Sequence, residues 1–185
     1  MSVRDRSSLL DAAAEVLVAD PGASLAEVAE AAGIGRTTLH KHYATRDDLL
    51  RAVGQRALDL WRQAVDQVGV DDTEQPDGGL RALAAALIPI GPQLIFLWRT
   101  PAFDNHLEID KQGYAMDERS LALLARAQGR GLLSAGVPSW WLLQSLYSLV
   151  YVASESIQSG WLAPREAPDL VVTTFLHGNG AHPRT

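Results

Sequence analysis

"GIGRTTLHKHYATRDDLL", residues 33–50, decides the reading of the whole chain. Its first fourteen residues hold Arg36, Lys41 and Arg46, two histidines and three threonines, and no acid, in a protein of formal net charge -6. Just upstream, "SLAE" lets Ser24 cap a helix N-terminus while Glu27, three residues on, reaches back as its capping-box partner. That spacing predicts a short helix over 25–32, and Gly33 can take the left-handed conformation that ends it in a tight turn. A second short helix is expected over 36–43. "TRDD" then restarts the pattern: Thr45 caps, and Asp47 and Asp48 suit a first turn, so a long helix is expected from Arg46 to about Val68. On the N-terminal side, Leu9, Leu10, Ala13, Val16 and Leu17 recur every three or four residues, one buried stripe of a helix from Arg6 to Ala19. "DPG" at 20–22 stops it.

Helix, short turn, helix is the geometry that sets a second helix into the major groove of DNA. Ala29 is small where the helices cross, and Leu25, Val28, Ile34 and Leu39 form an apolar wedge between them. Arg36, Thr37, Thr38, His40 and Lys41 remain for the outer face, donors or neutral hydroxyls throughout. An acid there would oppose phosphates, so its absence is what a DNA-facing surface requires. Thr45 and Arg46 add a helix N-terminus and a cation where a phosphate can rest. The plainer alternative is a helical hairpin with a glycine turn and a solvated cationic face. Small residue, glycine, wedge and donor-only face together favour the DNA-reading arrangement.

Residues 9–53, "LLDAAAEVLVADPGASLAEVAEAAGIGRTTLHKHYATRDDLLRAV", resemble the N-terminal DNA-binding domain of the TetR family of transcriptional regulators. The resemblance implies an all-α chain of about nine helices: a three-helix helix-turn-helix domain over 1–46, then a helical effector-binding and dimerisation domain over 47–185. It further implies a cytoplasmic homodimer that grips a palindromic double-stranded DNA operator as a repressor and is released by a small-molecule effector. By position, Arg36, Thr37, Thr38 and Lys41 would face base edges or nearby backbone. Ser24, His42, Tyr43 and Arg46 would hold phosphates. Arg36, with its bidentate fork, suits guanine. The family usually carries tyrosine where this chain has His40, so the phosphate contact implied there would rest on an imidazole.

After "GVDDTEQPDGG" (69–79), a linker by composition, helical signals continue to the C-terminus. Expected helices include "LRALAAALIPI", broken by Pro89, then "PQLIFLWR", then stretches over about 115–135, 139–159 and 167–177. "GRGLLSAG" (129–136) reads as a frayed helix end. "LVVTTFL" (170–176) is β-branched but has nothing to pair with. Trp61, Leu87, Ile90, Leu94 and Trp98, with Phe103, Tyr114, Met116 and Leu124, are candidates to line an apolar effector cavity. Gln93, Arg99 and Gln144 are its polar candidates. Residue by residue, these large apolar groups suit plain core better than a cavity lining. A lining of this kind points to a hydrophobic or aromatic effector. The helix from Trp140 to Ile157 is apolar nearly all round and must be buried on two sides. Leu146, Tyr147, Val150, Tyr151 and Ile157, with Leu170 and Thr174, are therefore expected at a dimer interface.

Other chemistries find little support. There is no cysteine, hence no disulfide, thiol nucleophile or Cys-based zinc site. His40 and His42 are two apart on a helix and point to different sides. His106, in "FDNHLEID" with Asp104, Glu108 and Asp110, fits a solvated loop better than a metal or acid/base site. No catalytic or phosphate-cradling motif occurs, so neither enzyme activity, a metal nor a cofactor is expected. A helical small-molecule-binding or protein-interaction module that does not touch DNA is the competing class. The most apolar run, 140–153, is too short to span a bilayer, which takes about 20 residues, and no membrane partner is expected.

Overall fold

A stretch with 3.6-residue periodicity and turn residues at its joints has one way to fold, and the computed structural model, which describes residues 3–71, 75–103 and 107–180, is helical throughout. Among the described residues the order is α1 (Val3–Ala19), α2 (Leu25–Ala31), α3 (Arg36–His42), α4 (Arg46–Val68), α5 (Pro76–Leu87), a 3-10 turn Ile88–Ile90, α6 (Gly91–Arg99), a 3-10 turn Pro101–Phe103, α7 (Leu107–Gly129), α8 (Ser139–Gln158) and α9 (Ala167–Asn179). The β-branched run 170–176 lies within α9, and the one extended pairing among the described residues is an isolated bridge between Leu133 and Gly180.

The chain divides into two compact units, Met1–Leu60 with Pro92–Gln112, and Trp61–Gly91 with Gly113–Thr185. A boundary at residue 46 was expected; instead α4 supplies residues to both units, and so does α7. In the first unit α2 packs against α1 and α3, around Leu9, Ala13, Val28, Leu39 and Val53, all essentially inaccessible. Arg56 forks onto Asp11 with two 3.1 Å hydrogen bonds, tying α4 to α1. In the second unit α9 packs on α5 and α8, burying Leu80, Leu143, Leu146 and Phe175. Arg119 on α7 reaches Asp66 and Asp71 at 2.6 Å each, holding the end of α4 and the chain just after it.

Three expectations need correction. First, α7 begins at Leu107, not near Ala115. Glu108 and Asp110 fill its first turn, favourable for the helix dipole, and Ile109, Met116 and Leu123 continue one buried stripe past Gly113. Glu108 and Asp110 are thus helical rather than part of a loop, while Asp104 and His106 lie outside the described residues. Second, 129–136 is an ordered turn: Gly131 adopts φ 75°, Leu132 N–H donates to Ala127 O at 2.9 Å, and the Gln128 amide donates to the carbonyls of Ser134 and Val137. Third, 140–153, expected to be too short, is not the stretch to weigh for a membrane: among the described residues 76–99 is long and apolar enough to cross one, with mean hydropathy 1.7 over its best window. Two-thirds of that window is buried inside the protein, which its role as core explains.

Candidate DNA-reading surface

The entry to α2 is fixed by the reciprocal cap: Ser24 Oγ accepts from Glu27 N–H at 3.3 Å, and Glu27 Oε2 accepts from Ser24 N–H at 2.7 Å. The Ser24 backbone donor holds the Glu27 carboxyl below its usual range. At the exit, Gly33 turns with φ 66° and the next residue, Ile34, donates back to Ala29 O at 2.9 Å. Gly35 then starts α3, its carbonyl accepting from Thr38 and Leu39 N–H. Leu39 is the buried residue of α3. With that side chain inward, Arg36, Thr37, Thr38, His40, Lys41 and His42 are all exposed. The first turn carries no acid, and the last holds His40, Lys41 and His42. The result is a convex helix face of donors and hydroxyls, sized for a groove.

Other residues assigned to phosphate are used internally. Tyr43 is 2% exposed, its hydroxyl accepting from Arg6 Nε at 3.2 Å with the Arg6 guanidinium over its ring. It anchors the end of α3 to α1. The Arg46 guanidinium donates to the backbone carbonyls of Ala23 and Pro21, bracing the α1–α2 turn against the start of α4. Ser24 is exposed, and its hydroxyl oxygen accepts in the cap.

The ten residues expected around an effector are divided between the two units. Gln93, Leu94, Trp98 and Phe103 belong to the first unit; Trp61, Leu87, Ile90, Tyr114, Met116 and Leu124 belong to the second. Phe103 packs edge-on against Phe96, ring centroids 5.6 Å apart, as core. Trp98 and Tyr114 face solvent. Gln93 is buried with its amide oxygen lacking a hydrogen-bond partner. A cavity of about 420 Å³ does lie within the first unit, bounded by α1, α4 and α6, and none of the ten lines it. Arg99, one of the polar candidates, does. The sequence hid this cavity because its wall draws on residues of α1 that share the stripe of ordinary core.

In the second unit Trp61 meets Tyr147 edge-on, centroids 5.7 Å apart. The Tyr147 hydroxyl donates to Asp117 Oδ1 at 3.2 Å and lies 3.2 Å from Ser120 Oγ. Burial pushes the Asp117 carboxyl up to about 6, with the Tyr147 hydrogen bond pulling the other way. A folded-state value above the unfolded one means the native protein binds the proton more tightly. Its contribution is therefore full below about pH 4 and is lost as pH rises through about 6. Asp117→Asn should raise stability at pH 7.5 by about 1–2 kcal/mol, at ~1.4 kcal/mol per unit discounted for partial exposure, and by about a third as much at pH 4.5. Urea midpoints at the two pH values would check this.

The expected dimer residues also separate. Leu146, Tyr147 and Val150 are buried within the chain itself, because α8 turns that stripe onto its own unit. Tyr151 and Ile157 are half-buried, and Leu170 and Thr174 are exposed. The outward stripe of α8 instead carries Trp141, Ser148 and Val152, with Trp141 65% and Val152 54% exposed. Trp140 and Trp161 are exposed as well. The spacing from Trp141 to Val152, three helical turns, was the available signal, but in a helix apolar on every side it does not say which stripe faces out.

A helix-turn-helix with a donor-only reading helix, ahead of a larger helical unit, defines a DNA-binding regulator. Residues 9–53 match the family described as "Bacterial regulatory proteins, tetR family". The chain is 31% identical over 183 residues to the HTH-type transcriptional repressor LfrR of Mycolicibacterium smegmatis, covering 98% of this chain and 94% of that protein. It is 28% identical over 176 residues to the HTH-type transcriptional regulator NfxB of Pseudomonas aeruginosa, covering 92% and 91%. The crystal structure of LfrR in complex with proflavine superposes with TM-score 0.70 at 27% identity, covering 97% of this chain and 99% of that one. The chain belongs to the TetR family of transcriptional regulators, a family of regulators rather than enzymes.

Proposed function

We propose that this protein is a ligand-responsive repressor that binds a palindromic operator as a homodimer in the cytoplasm. The observation that carries the reading is the exposed, acid-free face of α3, held outward by the burial of Leu39. Arg36, Thr37, Thr38 and Lys41 read bases or adjoining backbone, and His40 and His42 take backbone phosphates. Two copies joined through the exposed apolar stripe of α8 and Leu170 on α9 would present two such helices. Their spacing must match one turn of DNA, about 34 Å. Exposed apolar surface on this scale favours a protein partner.

The effector is aromatic. The crystal structure of LfrR is in complex with proflavine, and the Asp117 carboxyl on the Tyr147 hydroxyl, with Trp61 edge-on to the Tyr147 ring, supports a cationic aromatic compound for this chain. Because α4 carries residues of both units, a ligand that favours one tilt of it shifts the population away from the DNA-competent spacing.

The test is operator binding, measured on inverted repeats from the DNA flanking the gene. With four to six phosphates neutralised per dimer, log K should fall with log salt at a slope of about -4 to -5. Arg36→Ala should cost about 1–3 kcal/mol and relax preference at one base pair, if it reads guanine. Lys41→Ala, on phosphate, should weaken all sequences alike. Saturating proflavine should lower operator affinity; proflavine that binds and leaves operator affinity unchanged removes the ligand control. A chain that holds no inverted repeat at low salt removes the reading altogether.

A further inference from the structure

The cavity of the first unit has a chemistry of its own. Its wall is apolar along Leu17, Leu50, Ile95 and Phe96, and two cations, Arg46 and Arg99, also line it. No acid is among its lining residues. The four apolar side chains are themselves buried, whereas Arg99 is exposed and Arg46 half-buried, so the charged groups stand towards the solvent end of a largely apolar recess. At about 420 Å³ it falls within the size range of small-molecule sites, roughly 300–1,000 Å³. An aliphatic or aromatic body with a single negative end matches this lining; a cationic ligand would set its charge against two guanidinium groups.

The geometry points to a binding site for an apolar monocarboxylate inside the DNA-reading unit, with Arg46 and Arg99 as its carboxylate partners. This goes beyond the effector reading above, which concerns a cationic aromatic compound and Asp117. The site has a direct consequence for DNA binding. Arg46 is the residue that braces the α1–α2 turn, through the carbonyls of Pro21 and Ala23. A carboxylate competes with those two neutral acceptors for the same guanidinium, and charge-assisted hydrogen bonds are the stronger kind. Occupancy therefore loosens the brace beneath α2 and, through the α2–α3 packing, the support of the reading helix. By linkage, operator binding must weaken carboxylate binding by the same factor.

Decanoate, below its micellar concentration, is the probe, with decylammonium as the charge-reversed control of equal apolar length. Calorimetric titration of the full chain without DNA should give one decanoate per chain that Val18→Phe removes, and no decylammonium binding that Val18→Phe removes. Arg99→Gln, at an exposed position, should weaken decanoate on the order of 10-fold, as expected for losing one charge-assisted contact. Val18→Phe, filling the recess from α1, should abolish it, with a melting curve run beside each variant. Saturating decanoate should reduce operator affinity by about 5-fold or more. Decylammonium binding that is as tight as decanoate's and is lost in Val18→Phe, or decanoate binding untouched in both variants, overturns the site. Binding that leaves operator affinity unchanged overturns the Arg46 route. Since the titration uses no DNA, its outcome is separate from that of the operator test.

Discussion

Leu39→Ala should destabilise the reading unit by about 2–5 kcal/mol, the range for emptying a fully buried leucine site. Leu39 is completely inaccessible and is the buried residue of a seven-residue helix. A helix that short has no stability of its own in water; it exists because that one side chain is fixed. The loss should appear as a lower urea midpoint, and operator affinity should fall with it, for every sequence alike. Arg36→Ala, on the exposed side of the same helix, should leave the midpoint within about 0.5 kcal/mol, as surface changes do, while altering sequence preference. The pair separates support from reading. An unchanged midpoint for Leu39→Ala would mean that α3 is turned the other way, with its cations inward.

That separation was legible before any coordinates. The capping box at Ser24 and Glu27, the positive-φ turn at Gly33 and the single inward leucine are local features, each fixed by chemistry within four residues. So was the full extent of α4, Arg46–Val68, because Thr45 donates its N–H and its hydroxyl to Asp48 Oδ2 at one end and a continuous stripe runs to the other. What the sequence concealed were matters of partner choice. Tyr43 and Arg46 carry groups fit for phosphate, yet Arg6 and the Pro21 and Ala23 carbonyls take them. Those partners lie 37 and 20-odd residues away, beyond the reach of local pattern.

The same limit explains the second unit. Leu146, Tyr147 and Val150 were expected at an interface because α8 is apolar on most sides. Periodicity identifies stripes but does not say which one the chain itself will cover. Packing of α9 against α5 and α8 decides it, leaving Trp141 and Val152 outside. The start of α7 was missed for a related reason. Gly113 lowers helix propensity by about 1 kcal/mol relative to alanine, but burying Ile109 and Met116 on one stripe offsets more than that.

Gly91→Ala should also cost about 3 kcal/mol, the upper end of the overpacking range, although glycine to alanine inside a helix ordinarily stabilises by about 1 kcal/mol. The sign reverses because of what the new methyl would meet. A Cβ on Gly91 would lie 2.1 Å from Ser154 Oγ and 2.4 Å from Ser154 Cβ. The hydroxyl can rotate away, but the Cβ is fixed to α8, so the start of α6 must move off that helix. Gly54→Ala is the informative comparison. Its Cβ would meet the ring tip of Phe103 at 2.6 Å, an atom on a side chain that can tilt, so a smaller loss is expected. Adding Ser154→Gly to Gly91→Ala removes the opposing Cβ. The double variant should recover about 2 kcal/mol of the loss even though a glycine inside α8 itself costs about 1 kcal/mol, a coupling of the size seen between residues in contact. Urea denaturation of the two single variants and the double closes the cycle. Additive losses would show that the two helices do not touch at this point, and with that the packing assigned to the second unit would fail.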